Sequence, residues 1–151
     1  MHSYEMNGYQ IDGSTIRFAL ADPARSDRVQ RSVELVFRDV EGYLFEKKAD
    51  GNTTLTVEER PLLAFLRANE DYFARESRFG WPRFWQGSAD QTEGWLAYRG
   101  RRVWTVSTSY GLSGWIVAGS AGYHNAVTPD AGAEPPLTLD AWRIPTATWR
   151  R

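Results

Sequence analysis

The side chains that most often perform chemistry are scarce here: no cysteine, and two histidines, His2 and His124. His124, within Tyr123-His124-Asn125, is the one candidate for a general base, because His2 sits beside the first residue. An acid–base role would need Asp90 or Glu93 beside it. A lone histidine in a polar loop is more often ordinary surface. Carboxylates come in two pairs, Asp39 with Glu41 and Glu58 with Glu59. Such pairs serve as acid and base or hold Mg²⁺ or Ca²⁺, but at strand ends they are usually just solvated. Asp50-Gly51-Asn52 does not make a calcium loop. With Gly51 as the sixth position, Val57 stands where the closing Glu belongs and Lys48 takes a ligand position. Gly111-Leu112-Ser113-Gly114 lacks the spacing of a nucleophile elbow. Asn52-Thr53-Thr54 matches a glycosylation acceptor, a match without weight in a chain that shows no secretory signal. No glycine-rich phosphate loop and no metal-ligand spacing is present, so no cofactor and no metal is expected.

Aromatic surface is abundant instead. Five of seven tryptophans (Trp81, Trp85, Trp95, Trp104, Trp115) fall within 35 residues. Phe79-Gly80-Trp81-Pro82-Arg83-Phe84-Trp85 packs four large rings and an arginine into seven residues. Such a loop suits recognition by stacking and by a planar cationic donor, and it equally suits plugging the end of a sheet. Trp95, Trp104 and Trp115, with Val and Ala neighbours, fit a core better than a pocket. Arg99-Gly100-Arg101-Arg102 beside Tyr98 and Trp104 would suit a phosphate backbone at a hairpin tip. No basic face elsewhere supports nucleic acid. Ser107-Thr108-Ser109-Tyr110-Gly111-Leu112-Ser113-Gly114 combines small hydroxyl residues with Tyr110, a composition common in adaptable binding loops.

Composition bounds the class. A chain of 151 residues is one domain in size and can bury roughly 70% of its unfolded surface without a disulfide or metal. The absence of cysteine excludes a disulfide framework, an iron–sulfur cluster and a thiol nucleophile. Met1-His2-Ser3-Tyr4-Glu5-Met6 has no cationic start before an apolar run, and no 18 apolar residues run together. A cytoplasmic protein with no membrane partner is the expectation. The net charge of −1 hides an asymmetry: residues 1–74 carry 13 acids and 9 bases, residues 75–151 carry 6 acids and 9 bases. Arginine outnumbers lysine 16 to 2, a bias a GC-rich genome would produce by itself.

The elements that must position these groups follow a period of two. Ile16, Phe18 and Leu20 alternate with Arg17 and Ala19, while Val33, Leu35 and Phe37 alternate with Glu34, Val36 and Arg38. Leu55 and Val57 alternate with Thr54, Thr56 and Glu58. Alternation of this kind marks antiparallel strands with one packed face. Asp12-Gly13 is expected to join strands near 4–11 and 14–20, and Asp50-Gly51 to join 43–48 to 52–58, as tight hairpins. Asp39-Val40-Glu41-Gly42 predicts a bulge or bend. Pro61 opens one amphipathic helix over 61–77, ended by Gly80 and Pro82. A three-stranded meander follows: 95–98, 103–108 and 114–119. With Trp104 and Val106 on one face and Val103 and Thr105 on the other, it must be covered twice or associate. Residues 123–151 carry Pro129, Pro135, Pro136 and Pro145 and read as an irregular tail packed back by Trp142 and Trp149, with Leu137-Thr138-Leu139 as a short edge strand.

The expected fold is a single α+β domain over 1–151, with its core within about 3–122. It holds an antiparallel sheet of about seven strands, curled as a half-barrel around the helix. The expected function is a non-enzymatic binding protein acting by protein–protein contact. Trp81, Arg83, Phe84 and Trp85 would anchor, Tyr110 would contribute, and Asp39, Glu41, Glu58 and Glu59 would face a cationic toxin or enzyme. The type, small and rich in Trp but poor in catalytic groups, is shared with bacterial immunity proteins that neutralise toxins; the likeness covers no motif. The alternative is a small-ligand-binding barrel whose cavity is lined by Trp95, Trp104 and Trp115, and association with a second copy is open in either case.

Overall fold

The computed structural model describes residues 4–21, 32–47, 53–109 and 111–126. Among these, strands β1 (Tyr4–Asp12), β2 (Thr15–Ala21), β3 (Ser32–Arg38), β4 (Gly42–Lys47) and β5 (Thr53–Arg60) precede three helices. These are α1 (Leu62–Ala68), α2 (Glu70–Glu76) and α3 (Ala89–Tyr98), followed by β6 (Arg102–Thr108), β7 (Leu112–Ala118) and β8 (Ser120–Ala126).

Paired neighbours run in the order β4-β7-β6-β5-β1-β2-β3-β8, all antiparallel. The β5–β1 junction is only three residue pairs long. There the succession divides into two four-stranded sheets, β4-β7-β6-β5 and β1-β2-β3-β8. Because β4 and β8 stand at its two ends, it is not a closed barrel. The architecture is the expected mixed antiparallel α+β, with eight strands rather than about seven. The eighth, β8, spans Ser120–Ala126 and so runs four residues into the segment from 123 onward that was expected to be irregular.

The two sheets face each other across the main core. Ile16, Phe18 and Leu20 of β2 and Val33, Leu35 and Phe37 of β3 are all buried on that face, as their alternation predicts. Edge-on ring pairs cross from sheet to sheet: Phe37 to Trp104 at 5.5 Å and Phe18 to Phe45 at 5.9 Å between centroids. Each fully buried ring contributes about 1.5–3 kcal/mol by leaving water, so this seam holds the sheets together.

A bend carries the chain between sheets. β3 pairs with β8 as far as Arg38↔Ser120, and β4 pairs with β7 from Gly42↔Val117. Between them Asp39 takes φ 54, and the Gly119 N–H donates to the carbonyls of Arg38 and Asp39 at 2.9 and 3.2 Å. Both strands of one ribbon therefore turn the same corner. The bend expected at 39–42 is this corner.

The helices cover the outer face of β4-β7-β6-β5. Leu66, Phe73, Phe84, Ala89 and Leu96 pack there on Val103, Trp115 and Val117. This sheet is apolar on both faces and is covered twice, by the other sheet and by the helices. The helices lie outside the sheets, so no half-barrel wraps a helix.

Three further expectations change. The helix expected over 61–77 is two helices parted at Asn69 (φ −112, ψ 9), whose Nδ2 donates to the Phe65 carbonyl at 2.8 Å. A short-chain amide that bonds the turn below competes with helix continuation. Next, β4 pairs with β7, and β5 with β1 and β6, so 43–48 and 52–58 do not form a hairpin; the turn residues Asp50 and Gly51 lie outside the described residues. The Gly13 turn does join β1 to β2, with Asp12 opposite Thr15.

Last, Trp95–Tyr98 is helix, not strand. Ser88 caps α3 by accepting from the Gln91 N–H at 3.2 Å, and Ala89, Thr92 and Leu96 bury one stripe. Gly100, at φ 70, closes it: its N–H donates to Ala97 O (3.0 Å) and that of Arg101 to Leu96 O (2.9 Å). This pair of bonds is a Schellman termination, which needs a left-handed residue that glycine supplies without strain. The meander is thus two strands, β6 and β7, entered from a helix.

Candidate functional site

The aromatic segment after α2 is a connection pinned at both ends. A 3₁₀ turn over Ser77–Phe79 ends at Gly80, and the Trp85 N–H donates to Pro82 O at 3.2 Å. Further on, Thr92 Oγ1 accepts from the Gln86 N–H at 2.9 Å and Glu70 Oε2 from the Ala89 N–H at 2.8 Å. Thr92 is fully buried and satisfied by that bond. The loop is therefore a positioned scaffold.

Its four expected anchors divide. Phe84 is 1% exposed and packs edge-on against Phe73 (5.7 Å) and Trp115 (5.9 Å). It plugs the layer between helices and sheet and offers nothing to a partner. Trp81 is half-buried against Tyr72 (5.9 Å) and Trp115 (5.8 Å), and Trp85 is half-buried against Phe73 (5.6 Å). Arg83 is exposed and has no ion-pair partner among the described residues. Tyr110 lies outside the described residues, as do Trp142, Trp149 and the 137–139 segment.

One residue the sequence reading did not place among the anchors is Phe79, 82% exposed at the end of the 3₁₀ turn. No local feature of the sequence sets it apart from the neighbouring rings. Arg78 beside it is also exposed and unpaired among the described residues. Tyr98, 93% exposed at the last turn of α3, and Tyr123, 61% exposed on β8, are the other large exposed rings among the described residues.

The four acids do not gather. Glu58 and Glu59 are strand neighbours and point to opposite faces. Register places Glu59 opposite Trp104, Trp104 opposite Ile116, and Ile116 opposite Tyr43. Glu59 is thus three strands, on the order of 14 Å, from the strand that follows Glu41. Nor are they free. Glu41 Oε1 accepts from Arg99 Nε (3.0 Å) and Nη2 (2.8 Å) and from Arg101 Nε (3.0 Å). Glu58 pairs with Arg60 at 2.7 Å and Glu59 with Arg102 at 3.4 Å. Asp39 is exposed at the corner without an ion-pair partner among the described residues.

These pairings also neutralise the Arg99–Arg102 run, which sits at a helix-to-strand link and not at a hairpin tip. Arg99 lies over the Trp95 ring at 4.7 Å and Arg102 over Trp104 at 5.0 Å. The run is a staple between α3, the β3–β4 corner and β6. A phosphate would have to displace carboxylates already in place.

Trp95, Trp104 and Trp115 do not line one cavity. Trp104 faces the inter-sheet core, Trp115 the helices, and Trp95 belongs to α3. A groove of about 470 Å³ does open beside Trp115 at the β4 edge. Leu44 and Glu46 of β4, Ser113 and Trp115 of β7, and Asn69 and Tyr72 of the helices line it. His124 stands on β8 across from Glu34, whereas Asp90 and Glu93 belong to α3, which packs on the other sheet.

Burial, with the Tyr43 ring close by, pushes the Tyr9 hydroxyl well above its ordinary value. Among the described residues no group of three or more His, Cys, Asp or Glu could hold a metal ion. No helix among them is long and apolar enough to cross a membrane. No family model, no curated protein and no solved structure matches this chain.

Proposed function

We propose that this chain is a non-enzymatic binding protein that acts by protein–protein contact through the connection between α2 and α3. The observation that carries the reading is Phe79, bare on a pinned scaffold, next to half-buried Trp81 and Trp85. Rigid aromatic groups that need no reordering anchor interfaces at low entropic cost. Arg78 and Arg83, unpaired among the described residues, give the surface a cationic rim. The partner face is therefore one that carries carboxylates around an apolar recess, complementary to these two arginines. Neutralisation of a toxin in the cytoplasm is the narrower form of this reading.

The test is a pull-down from source-cell lysate with the intact protein and the double variant Phe79→Ala/Arg83→Ala. Partner binding should weaken by about 2 kcal/mol or more, roughly thirtyfold, with the melting transition unchanged. The variant Tyr98→Ala serves as a control on a distant bare ring. Equal capture by the double variant and the intact protein would remove the surface from the reading.

A further inference from the structure

The groove at the β4 edge is a second candidate site, lined by none of the residues of the α2–α3 connection. Its floor is stiff. Trp115 is clasped by Phe65 (5.4 Å), Phe73 (5.5 Å), Trp81 (5.8 Å) and Phe84 (5.9 Å) and is only 7% exposed. Tyr72, from the first turn of α2, forms the opposite aromatic wall. A cavity of about 470 Å³ lies within the range of small-ligand sites.

The lining carries a single charge, that of Glu46. Asn69 gives one Nδ2 hydrogen to the Phe65 carbonyl, which leaves its amide oxygen and the second hydrogen. Glu46 adds two carboxylate oxygens and Ser113 a hydroxyl. The Tyr72 and Ser113 hydroxyls and the Trp115 indole N–H are donors as well, so the feature that selects a ligand is the one charged side chain of the lining, Glu46.

Charge points the same way. Glu41, Glu58, Glu59, Glu76 and Asp90 each hold an arginine. Glu46 has no ion-pair partner among the described residues. Arg75 lies over Tyr72 of the groove wall at 5.4 Å and is itself tied to Glu76 at 3.7 Å. The Tyr72 ring thus already accepts a guanidinium, and Glu46 holds none among the described residues.

We propose that this groove binds a small organic cation, an ammonium or guanidinium group on a short apolar stem. The head would pair with Glu46 and donate to the Asn69 oxygen, and the stem would lie against Leu44 and Trp115. Charge-assisted hydrogen bonds and a ring face reward a cation there and reject its neutral isostere.

The test titrates the intact protein with n-butylammonium and n-butylguanidinium, followed by tryptophan emission and by amide shifts at Asn69, Ser113 and Trp115. The neutral control is 1-butanol and the anionic control butyrate. Saturable binding of both cations, with Kd on the order of 1 mM and shifts confined to the groove, is expected. Glu46→Gln, an exposed and unpaired position that should leave folding intact, weakens both at least about tenfold, a loss of about 1.4 kcal/mol. Equal response to butanol, an undiminished response in Glu46→Gln, or no saturable response to either cation overturns the proposal. Phe79→Ala/Arg83→Ala should bind the cations as the intact protein does, so failure of the contact surface and failure of the groove remain separate results.

Discussion

The backbone carbonyl of Leu44 occupies the place where a Cβ on residue 114 would stand, with the Phe45 ring 2.8 Å from the same point. Glycine at 114 is what allows β4 and β7 to pair at Phe45↔Gly114. Any side chain must push the edge strand away. Gly114→Ala should lower stability by about 3 kcal/mol, the upper end of overpacking costs, read as a lower urea midpoint. Gly94, within α3, meets nothing within 4 Å of its own Cβ position. Gly94→Ala should therefore raise stability by about 0.5–1 kcal/mol through helix propensity.

Glu41 joins three elements by accepting from Arg99 and Arg101 while its own N–H donates to Val117 O at 2.8 Å. Arg101 is largely buried, so removing its carboxylate leaves a cation poorly solvated. Glu41→Ala should cost about 2 kcal/mol. Glu59→Ala, which breaks an exposed pair, should cost less than about 0.5 kcal/mol. Chemical denaturation of the two variants side by side checks the contrast.

Phe84 and Phe79 lie five residues apart and should behave as opposites. Phe84→Ala empties a site between Phe73 and Trp115 and should destabilise by about 3–5 kcal/mol. Phe79→Ala removes a ring already in water and should leave the melting temperature unchanged, with stability within about 0.5 kcal/mol. Thermal melts of both decide it. A stability loss at Phe79 equal to that at Phe84 would put Phe79 in the core.

Tyr9 sets a limit at alkaline pH. Burial, and to a lesser degree Tyr43, raises its hydroxyl above the usual value near 10. The unfolded phenol ionises at about pH 10 while the folded one stays neutral. The stabilisation is complete below pH about 10 and is lost as pH rises from there through the folded value, at a rate approaching about 1.4 kcal/mol per pH unit. Tyr9→Phe should flatten that decline in denaturation curves taken across alkaline pH. Phenolate absorbance should show one tyrosine that resists ionisation until the chain unfolds.

Much of α3 was written locally and was easy to overlook. Ser88-Ala89-Asp90-Gln91 has the residue types of a helix start, and Gly100 those of a helix stop. Trp95, Leu96 and Tyr98 instead suggested a strand, because aromatic and apolar runs of four residues suit either state. Ala89, Thr92 and Leu96, spaced three and four apart, resolve the ambiguity once the caps are read first. The candidate site was legible only in outline. The density of rings at 79–85 marked the segment, yet nothing local separates bare Phe79 from buried Phe84.

What the sequence determined by itself is what depends on neighbours along the chain. Alternation at 16–20 and 33–37 set which faces of β2 and β3 are packed, and Gly13 set the turn between β1 and β2. Gly100 ended α3, and the two-faced apolar pattern of β6 required two coverings. These follow from backbone geometry and side-chain period, which act within a few residues. Only the tertiary structure decided that β4 lies beside β7 and not β5, that Trp104 and Trp115 enter different cores, and that Glu41 is held by Arg99 and Arg101. Those outcomes join residues as far apart in the chain as Gly42 and Val117. A period of two says that a strand has a buried face and is silent on which strand or helix buries it; the choice is made by how the whole set of apolar faces can be closed at once.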